Sequence, residues 1–241
     1  MTKNIKFLIF ILLKLLLILL SCSTSEKYYI SKNIQHRGGV DAINNIYTKK
    51  LAGKFIIREF GEVPFTIFLK KPDFIRIESN HDSKNLISAC DGQKCWWINP
   101  LKNINQPTEM PQLEASRLMD LQFLYWEYLQ RAQERMYNIK FLGKELVEQH
   151  EFYVLKLIKN GYEQNLYLDT EFFLERIIVG KLKGFNLKTE TVFSEYKKVN
   201  DVLIPHKFEL IVNGNLDVTT IVDKVELNVE IDDAIFFMPS K

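Results

Sequence analysis

Residues 51–70, LAGKFIIREFGEVPFTIFLK, are the stretch of the chain that decides its fold. Apolar and polar residues alternate over Leu51–Phe60 and again over Val63–Lys70, which is the period of a β-strand with one buried face. The Gly61-Glu62 pair between them has the length and the glycine of a hairpin turn. The stretch therefore predicts two antiparallel strands with one apolar face and one polar face.

The same alternation continues on both sides of this hairpin. The predicted apolar face carries Leu51, Gly53, Phe55, Ile57, Phe65, Ile67, Leu69, Ile75 and Ile77, and the polar face Lys54, Arg58, Thr66, Lys70, Arg76 and Glu78. Later turn signals fall at Gln149-His150, Asn160-Gly161, Asp169-Thr170, Lys183-Gly184, Asn200-Asp201 and Asn213-Gly214. Connections this short force antiparallel neighbours, and an open sheet of eleven or twelve strands must curl. The sequence predicts a mainly β (α+β) protein.

Helical patterns interrupt the strands at a few places. They are a segment that begins at Lys27 and stops at Arg37-Gly38-Gly39, a short turn over Val40–Ile46, a helix from Gln112 to about Met136, and one turn over Ile231–Phe236. The Gln112 helix is apolar on most sides, which is typical of a helix buried on most sides. It is expected either to lie inside a concave sheet or to pack on one face only. The stretch Pro100–Pro111 is expected to be a loop.

The first 20 residues have the pattern of a secretory signal, with a positive start and an apolar run that Lys14 interrupts. The run is too short for a membrane-spanning helix, which needs roughly 20 apolar residues. Leu19-Leu20-Ser21-Cys22 resembles a bacterial lipobox, in which the cysteine receives a lipid and becomes the N-terminus. The predicted organisation is a signal peptide over 1–21, an acylated anchor and short tether over 22–26, and one domain over 27–241.

Removing residues 1–21 removes three lysines and no acidic residue, so 29 basic residues face 30 acidic ones and the formal charge falls from +2 to −1. A nearly neutral chain without a basic block argues against nucleic acid as a partner.

The segments Leu86–Cys90 and Cys95–Asn99 flank Asp91-Gly92-Gln93-Lys94, another hairpin signal. With Gly92-Gln93 at the centre of the turn, Cys90 and Cys95 stand directly opposite each other, close enough for a disulfide. With Asp91-Gly92 at the centre they are diagonal, and a bond would be strained. Without a bond, the two cysteines would be small buried apolar side chains.

Nothing in the sequence indicates catalysis. His36, His81, His150 and His206 are scattered without ligand spacing, and the nucleophile and phosphate-binding motifs are absent. We therefore expect no metal, no cofactor and no enzymatic activity.

The chain resembles the outer membrane lipoprotein-sorting protein family, which is LolA/LolB-like. The residues that carry the resemblance are Arg37-Gly38-Gly39, Lys70-Lys71-Pro72, Arg76, Glu78, Asp91-Gly92, Trp97, Asn99-Pro100, Gly143-Lys144-Glu145, Tyr167-Leu168-Asp169, Glu195-Tyr196, Pro205-His206, Asn228 and Phe236–Pro239. They span nearly the whole chain after the signal, in the expected order.

The resemblance implies an unclosed antiparallel β-barrel of about eleven strands, with helices covering an apolar concave face that holds acyl chains of lipids or lipoproteins. The residues expected to line that face are Phe55, Ile57, Phe65, Ile67, Leu69, Ile75, Ile77 and Trp97, with Leu121, Phe123, Leu124 and Trp126 on the covering helix. Each of them is expected to be either core or a lipid contact. Soluble carriers of the family have an arginine where this chain has Lys71, and lysine lacks the planar fork that grips several carbonyls.

The expected function is that of a lipid-anchored protein facing the periplasm, which binds acyl chains and takes part in sorting lipoproteins together with partner proteins. Ser23 after the lipobox cysteine favours the outer membrane over the inner one. The alternative is a sensor or scaffold on the same fold that binds a partner protein.

Overall fold

The computed structural model describes residues 25–181 and 186–239. The predicted signal peptide, Cys22 and the turn predicted at Lys183-Gly184 lie outside the described residues. Within the described ranges, no helix combines the length and the apolar character that crossing a membrane requires.

The described residues contain one antiparallel sheet of 13 strands, in the order β6-β5-β4-β3-β2-β1-β13-β12-β11-β10-β9-β8-β7. The strands are β1 (Thr48–Ile57), β2 (Gly61–Lys70), β3 (Phe74–His81), β4 (Lys84–Cys90), β5 (Cys95–Asn99), β6 (Ile104–Glu109), β7 (Asn138–Val147), β8 (His150–Lys159), β9 (Tyr162–Asp169), β10 (Glu175–Lys181), β11 (Lys188–Val199), β12 (Val202–Val212) and β13 (Asn215–Leu227). Since β6 and β7 are the two ends of the order, the sheet is unclosed. The predicted fold class is confirmed, with 13 strands where about eleven were expected.

Strand β6 lies in the stretch that was expected to be a loop, and that expectation was wrong. Its sequence is polar and contains Pro107, so it lacks the alternation by which strands are recognised. Proline is tolerated on an edge strand, whose outer side pairs with no neighbour. Among the described strands, β6 occupies such an edge and pairs only with β5.

Four α-helices lie within the described residues: α1 (Ser25–Arg37), α2 (Val40–Asn44), α3 (Gln112–Leu124) and α4 (Tyr128–Glu134). Helix α1 ends where it was predicted to end, because Gly38 has a φ of 133°. A Cβ at Gly38 would also lie 2.2 Å from the carbonyl oxygen of Asp201, so only glycine fits this position.

The buried apolar residues form one core that joins both halves of the sheet to the helices. We call the sheet face on this core the inner face and the opposite one the outer face. Residues from β2, such as Ile67, and from β8, such as Leu157, belong to the same cluster although their strands are far apart in the sheet order. The sheet therefore curls around α3 and α4.

The outer face, expected to be polar, is covered over β3–β5 by the C-terminal segment. The buried ring of Trp96 donates its Nε1–H to the carbonyl oxygen of Phe236 at 2.8 Å. Arg76 Nη1 donates to the carbonyl oxygen of Ile235 at 2.7 Å. The 3₁₀ turn Asp233–Ile235, within the predicted terminal helical turn, thus holds the tail against the sheet.

A disulfide joins Cys90 to Cys95. The two residues stand directly opposite each other in the β4–β5 register, which corresponds to a turn centred on Gly92-Gln93. The Asp91 side chain accepts hydrogen bonds from the backbone N–H groups of Gln93 and Lys94, which stabilises this turn.

Reducing this disulfide is expected to lower the free energy of unfolding by about 2 kcal/mol, a small effect because the loop that it closes is short. Urea denaturation with and without dithiothreitol measures the difference. A Cys90→Ser/Cys95→Ser variant is the control, and its curve should not respond to the reductant. A wild-type curve that is equally unresponsive would contradict the prediction.

Candidate functional site

The inner face of β1–β5 is divided into a covered end and an open end. At the covered end, Leu69 and Ile75 on the sheet and Leu129 on α4 have no exposed surface. At the open end, where the β1–β2 and β3–β4 hairpins turn, Phe55 and Ile57 stay partly exposed. The two ends therefore have different roles, one as core and the other as accessible apolar surface.

The covering element is two helices, whereas one continuous helix from Gln112 to about Met136 was predicted. The chain leaves the helical conformation at Glu127, whose ψ is 96°. Two polar contacts explain the break: Lys49 Nζ donates to the carbonyl oxygen of Tyr125 at 3.3 Å and to Glu127 Oε1 at 2.7 Å. The two helices also differ in how much of their apolar surface is buried. Helix α4 buries Tyr128–Ala132, whereas α3 leaves Leu121 exposed.

Four buried charged side chains hold this break to the rest of the molecule. Arg37 lies 2.8 Å from Glu175 and 3.6 Å from Glu127, and Lys49 lies 2.7 Å from Glu127. All four are at most 4% exposed, and their formal charges cancel. The cluster joins the end of α1, the start of β1, the α3–α4 break and β10. Charges so deeply buried are tolerated only when they are paired.

The electrostatics of this cluster follow from its two cations. Burial alone would raise the pKa of Glu127, but the charges of Lys49 and Arg37 and the hydrogen bond from Lys49 outweigh burial and lower that pKa. Burial lowers the pKa of Lys49, and the charge and hydrogen bond of Glu127 offset this decrease only in part. Glu127 is therefore ionised in the folded protein at neutral pH.

Because its pKa is lower in the folded state than in the unfolded one, Glu127 stabilises the fold above its unfolded pKa of about 4.3, and this contribution disappears as the pH falls through the folded pKa. We expect Glu127→Gln to lower the free energy of unfolding most at pH 7, with a smaller difference from wild type below about pH 4. Urea denaturation of both proteins between pH 7 and pH 3 measures this. A difference that does not change with pH would contradict the prediction.

A second set of contacts holds α4 to the β2–β3 turn. Arg131 Nη2 donates to the carbonyl oxygen of Pro72 at 2.6 Å and lies 3.0 Å from Asp73 Oδ1, and Arg135 also pairs with Asp73. The ammonium group of Lys71 instead lies 5.4 Å from the centre of the Trp126 ring. The arginine that donates to a backbone carbonyl here is therefore Arg131 on α4, whereas Lys71 in the turn contacts an aromatic ring.

The open end contains a cavity of about 500 Å³. It is lined by Phe55, Ile57, Phe60, Val63, Ser79, His81, Leu86, Asn99, Leu101 and Lys102. Phe60, at the mouth, is 46% exposed and packs edge-on against His81, with ring centres 5.0 Å apart. The volume is within the range of roughly 300–1,000 Å³ that is typical of small-molecule sites.

The structure separates the residues that were predicted to contact lipid. Phe55 and Ile57 line the cavity, and Trp97 is a half-buried neighbour of it. The others on the sheet are core residues at most 9% exposed, namely Phe65, Ile67, Leu69, Ile75 and Ile77. On the helices and their connection, Phe123 and Trp126 are buried, Leu124 packs partly buried against the core, and Leu121 is 38% exposed.

Most lining residues were not predicted. Val63, Ser79, His81 and Asn99 lie on the inner face that the alternation already defined, so extending the predicted apolar rows would have found them. Leu101 and Lys102 lie in a 3₁₀ turn over Pro100–Lys102, where no strand period exists to place them. Among the described residues, no group of three or more His, Cys, Asp or Glu side chains is arranged to hold a metal ion.

Comparisons with solved structures show the fold. The chain is similar to a LolA superfamily protein from Nitrosomonas europaea, with 12% identity, a TM-score of 0.60, and coverage of 88% of this chain and 96% of the other. A DUF1329 family protein from Desulfovibrio piger matches with the same four values. A Vibrio parahaemolyticus domain described as an outer membrane lipoprotein-sorting protein matches with 12% identity, a TM-score of 0.55, and coverage of 79% and 89%. These similarities confirm the predicted LolA/LolB-like fold.

No protein-family model matches the sequence, and no curated protein matches it.

Proposed function

We propose that this protein binds acyl chains of lipids or lipoproteins at the open end of its inner face, without catalysing a reaction, and takes part in sorting them with partner proteins. The observation that carries the proposal is the cavity of about 500 Å³, whose lining is mostly aromatic and aliphatic. Each methylene group buried there contributes about 0.8 kcal/mol. The LolA-like fold supports the proposal, because the Vibrio parahaemolyticus domain that is described as lipoprotein-sorting has a similar fold.

Two adjacent residues of β1 provide a matched test. Ile57 lines the cavity, whereas Ile56 points to the outer face and is 36% exposed. We expect native mass spectrometry and lipid extraction of the purified wild-type protein to recover bound lipid, and a fluorescent fatty acyl probe to be taken up. Ile57→Trp places a bulkier side chain in the cavity and should reduce this uptake, whereas Ile56→Trp should keep it.

Recovery of no lipid and no uptake of the probe by the wild-type protein would overturn the proposal. Equal uptake by both variants would place the binding outside the cavity and overturn the site. Circular dichroism establishes that both variants are folded before the comparison is made.

The proposal includes a lipid anchor on Cys22 that holds the domain over residues 27–241 at the periplasmic side of the outer membrane. Its support is the lipobox-like sequence before Cys22 and the choice of Ser23 after it. Because α1 begins at Ser25, the tether is short and the domain would lie close to the bilayer. Labelling of cells with a radioactive fatty acid should mark the wild-type protein in the outer membrane fraction and leave Cys22→Ser unlabelled. An equally labelled variant would contradict the anchor.

A further inference from the structure

The cavity at the open end has an apolar side and a polar side. Phe55, Ile57 and Val63 of β1 and β2 form the apolar side. Across the sheet, Asn99 at the end of β5 and Lys102 in the 3₁₀ turn lie on the opposite side. Such a division fits a ligand that has one apolar part and one polar part.

Two polar atoms beside this polar side have no partner within the described part of the chain. Trp97 Nε1 and Asn99 Oδ1 are shielded from solvent and make no hydrogen bond there. Most buried polar groups are paired, and leaving one unpaired costs about 1–3 kcal/mol. The indole offers a donor, and the amide offers an oxygen or, after rotation, a nitrogen donor.

Lys102 supplies a positive charge at the same place. Its ammonium nitrogen lies 5.1 Å from the centre of the Trp97 ring. Among the described residues no carboxylate forms an ion pair with Lys102, whereas other surface lysines, such as Lys54 with Glu62, do have such a partner. A lysine ammonium group at the edge of an apolar cavity is complementary to an anionic group on the ligand.

We propose that the cavity accepts a single-chain fatty acid that lies across the strands. Its carboxylate would meet Lys102, Trp97 Nε1 and the Asn99 amide, and its tail would lie against Phe55 and Val63. This inference rests on the proposed function, since it names the ligand class of the same site.

The test compares two ligands of equal chain length that differ only in the polar end, lauric acid and lauryl alcohol, by isothermal titration calorimetry at pH 8. The wild-type protein should bind the acid about tenfold more tightly, as expected for hydrogen bonds to a charged group. Lys102→Gln should bind the alcohol as the wild type does and lose most of the preference for the acid. Trp97→Phe, which removes the indole N–H and keeps an aromatic ring, should reduce the preference in part.

Lys84→Gln is the matched control, because Lys84 lies on the neighbouring β3–β4 hairpin opposite His81 without lining the cavity. It should keep the full preference. An equal loss in Lys84→Gln and Lys102→Gln would indicate a general electrostatic effect and overturn the inference. Equal binding of acid and alcohol by the wild type would overturn the inference and leave the proposed function standing. Binding of neither would overturn both.

Discussion

Replacing Arg37 by methionine is expected to lower the free energy of unfolding by about 3–5 kcal/mol, the cost of leaving a buried charge without its partner. Arg37 is the cation nearest to Glu175, at 2.8 Å, and both side chains are almost completely buried. Without it, Glu175 would have no ion-pair partner among the described residues, and Glu127 would retain only Lys49 there. Urea denaturation followed by circular dichroism at pH 7 measures the loss.

Arg176→Met is the matched control. Arg37 and Arg176 both lie near the ring of Tyr196, at 5.7 Å and 5.6 Å from its centre. Arg176, however, pairs with Asp169 and is 35% exposed. Its loss should cost no more than about 1 kcal/mol. The double variant Arg37→Met/Glu175→Met removes both buried charges and should recover part of the stability that Arg37→Met loses. Equal effects of Arg37→Met and Arg176→Met would contradict the role of the buried cluster.

Trp126→Ala is expected to cost about 3–5 kcal/mol, the usual range for truncating a buried tryptophan. The ring is 2% exposed and lies between two lysines, with its centre 4.8 Å from Lys49 Nζ and 5.4 Å from Lys71 Nζ. Its loss therefore removes core packing and two cation–π contacts at the covered end. Thermal and urea denaturation both measure the effect.

The variant Trp97→Ala distinguishes a residue beside the proposed lipid site from a residue of the core. Trp97 is only half-buried, so its truncation should cost less stability than that of Trp126. It should nevertheless weaken fatty acid binding, because its ring lies beneath Lys102 at the polar side of the cavity. A Trp126→Ala variant as stable as the wild type would show that the covering helices do not belong to the core.

The parts of this fold that sequence could predict are those set by neighbours along the chain. The alternation on either side of Gly61-Glu62 predicts two antiparallel strands that share an apolar face, as β1 and β2 do. The predicted position of the turn was wrong, because Gly61 already pairs with Ile57 at the start of β2 and the turn lies over residues 58–60. The four-residue turn between Cys90 and Cys95 limits their geometry to two arrangements, and one of these is observed. The end of α1 at Gly38 follows from the glycine pair. In each case the determining residues lie within about ten positions of each other.

The parts that sequence could not predict depend on residues far apart in the chain. The helix break at Glu127 requires Lys49, which lies 78 positions earlier at the start of a strand. Nothing local marks Lys49 as a buried residue. The burial of Trp96 on the outer face requires Phe236, 140 positions later. For the same reason, alternation alone could not distinguish which apolar residues of the inner face would be covered by helices and which would line a cavity.

The central claim is that an acyl chain lies on the inner face at the open end, and two adjacent tryptophans of β5 can test it. Trp97 faces the core and the neighbourhood of the cavity, whereas Trp96 is buried on the outer face beneath Phe236. Variants with a single tryptophan, Trp96→Phe/Trp126→Phe and Trp97→Phe/Trp126→Phe, would be titrated with fatty acids that carry bromine at different positions along the chain. Bromine quenches indole fluorescence only at close contact. We predict saturable quenching of Trp97 and little quenching of Trp96. No quenching of Trp97 by any of these fatty acids, or equal quenching of both tryptophans, would contradict the account.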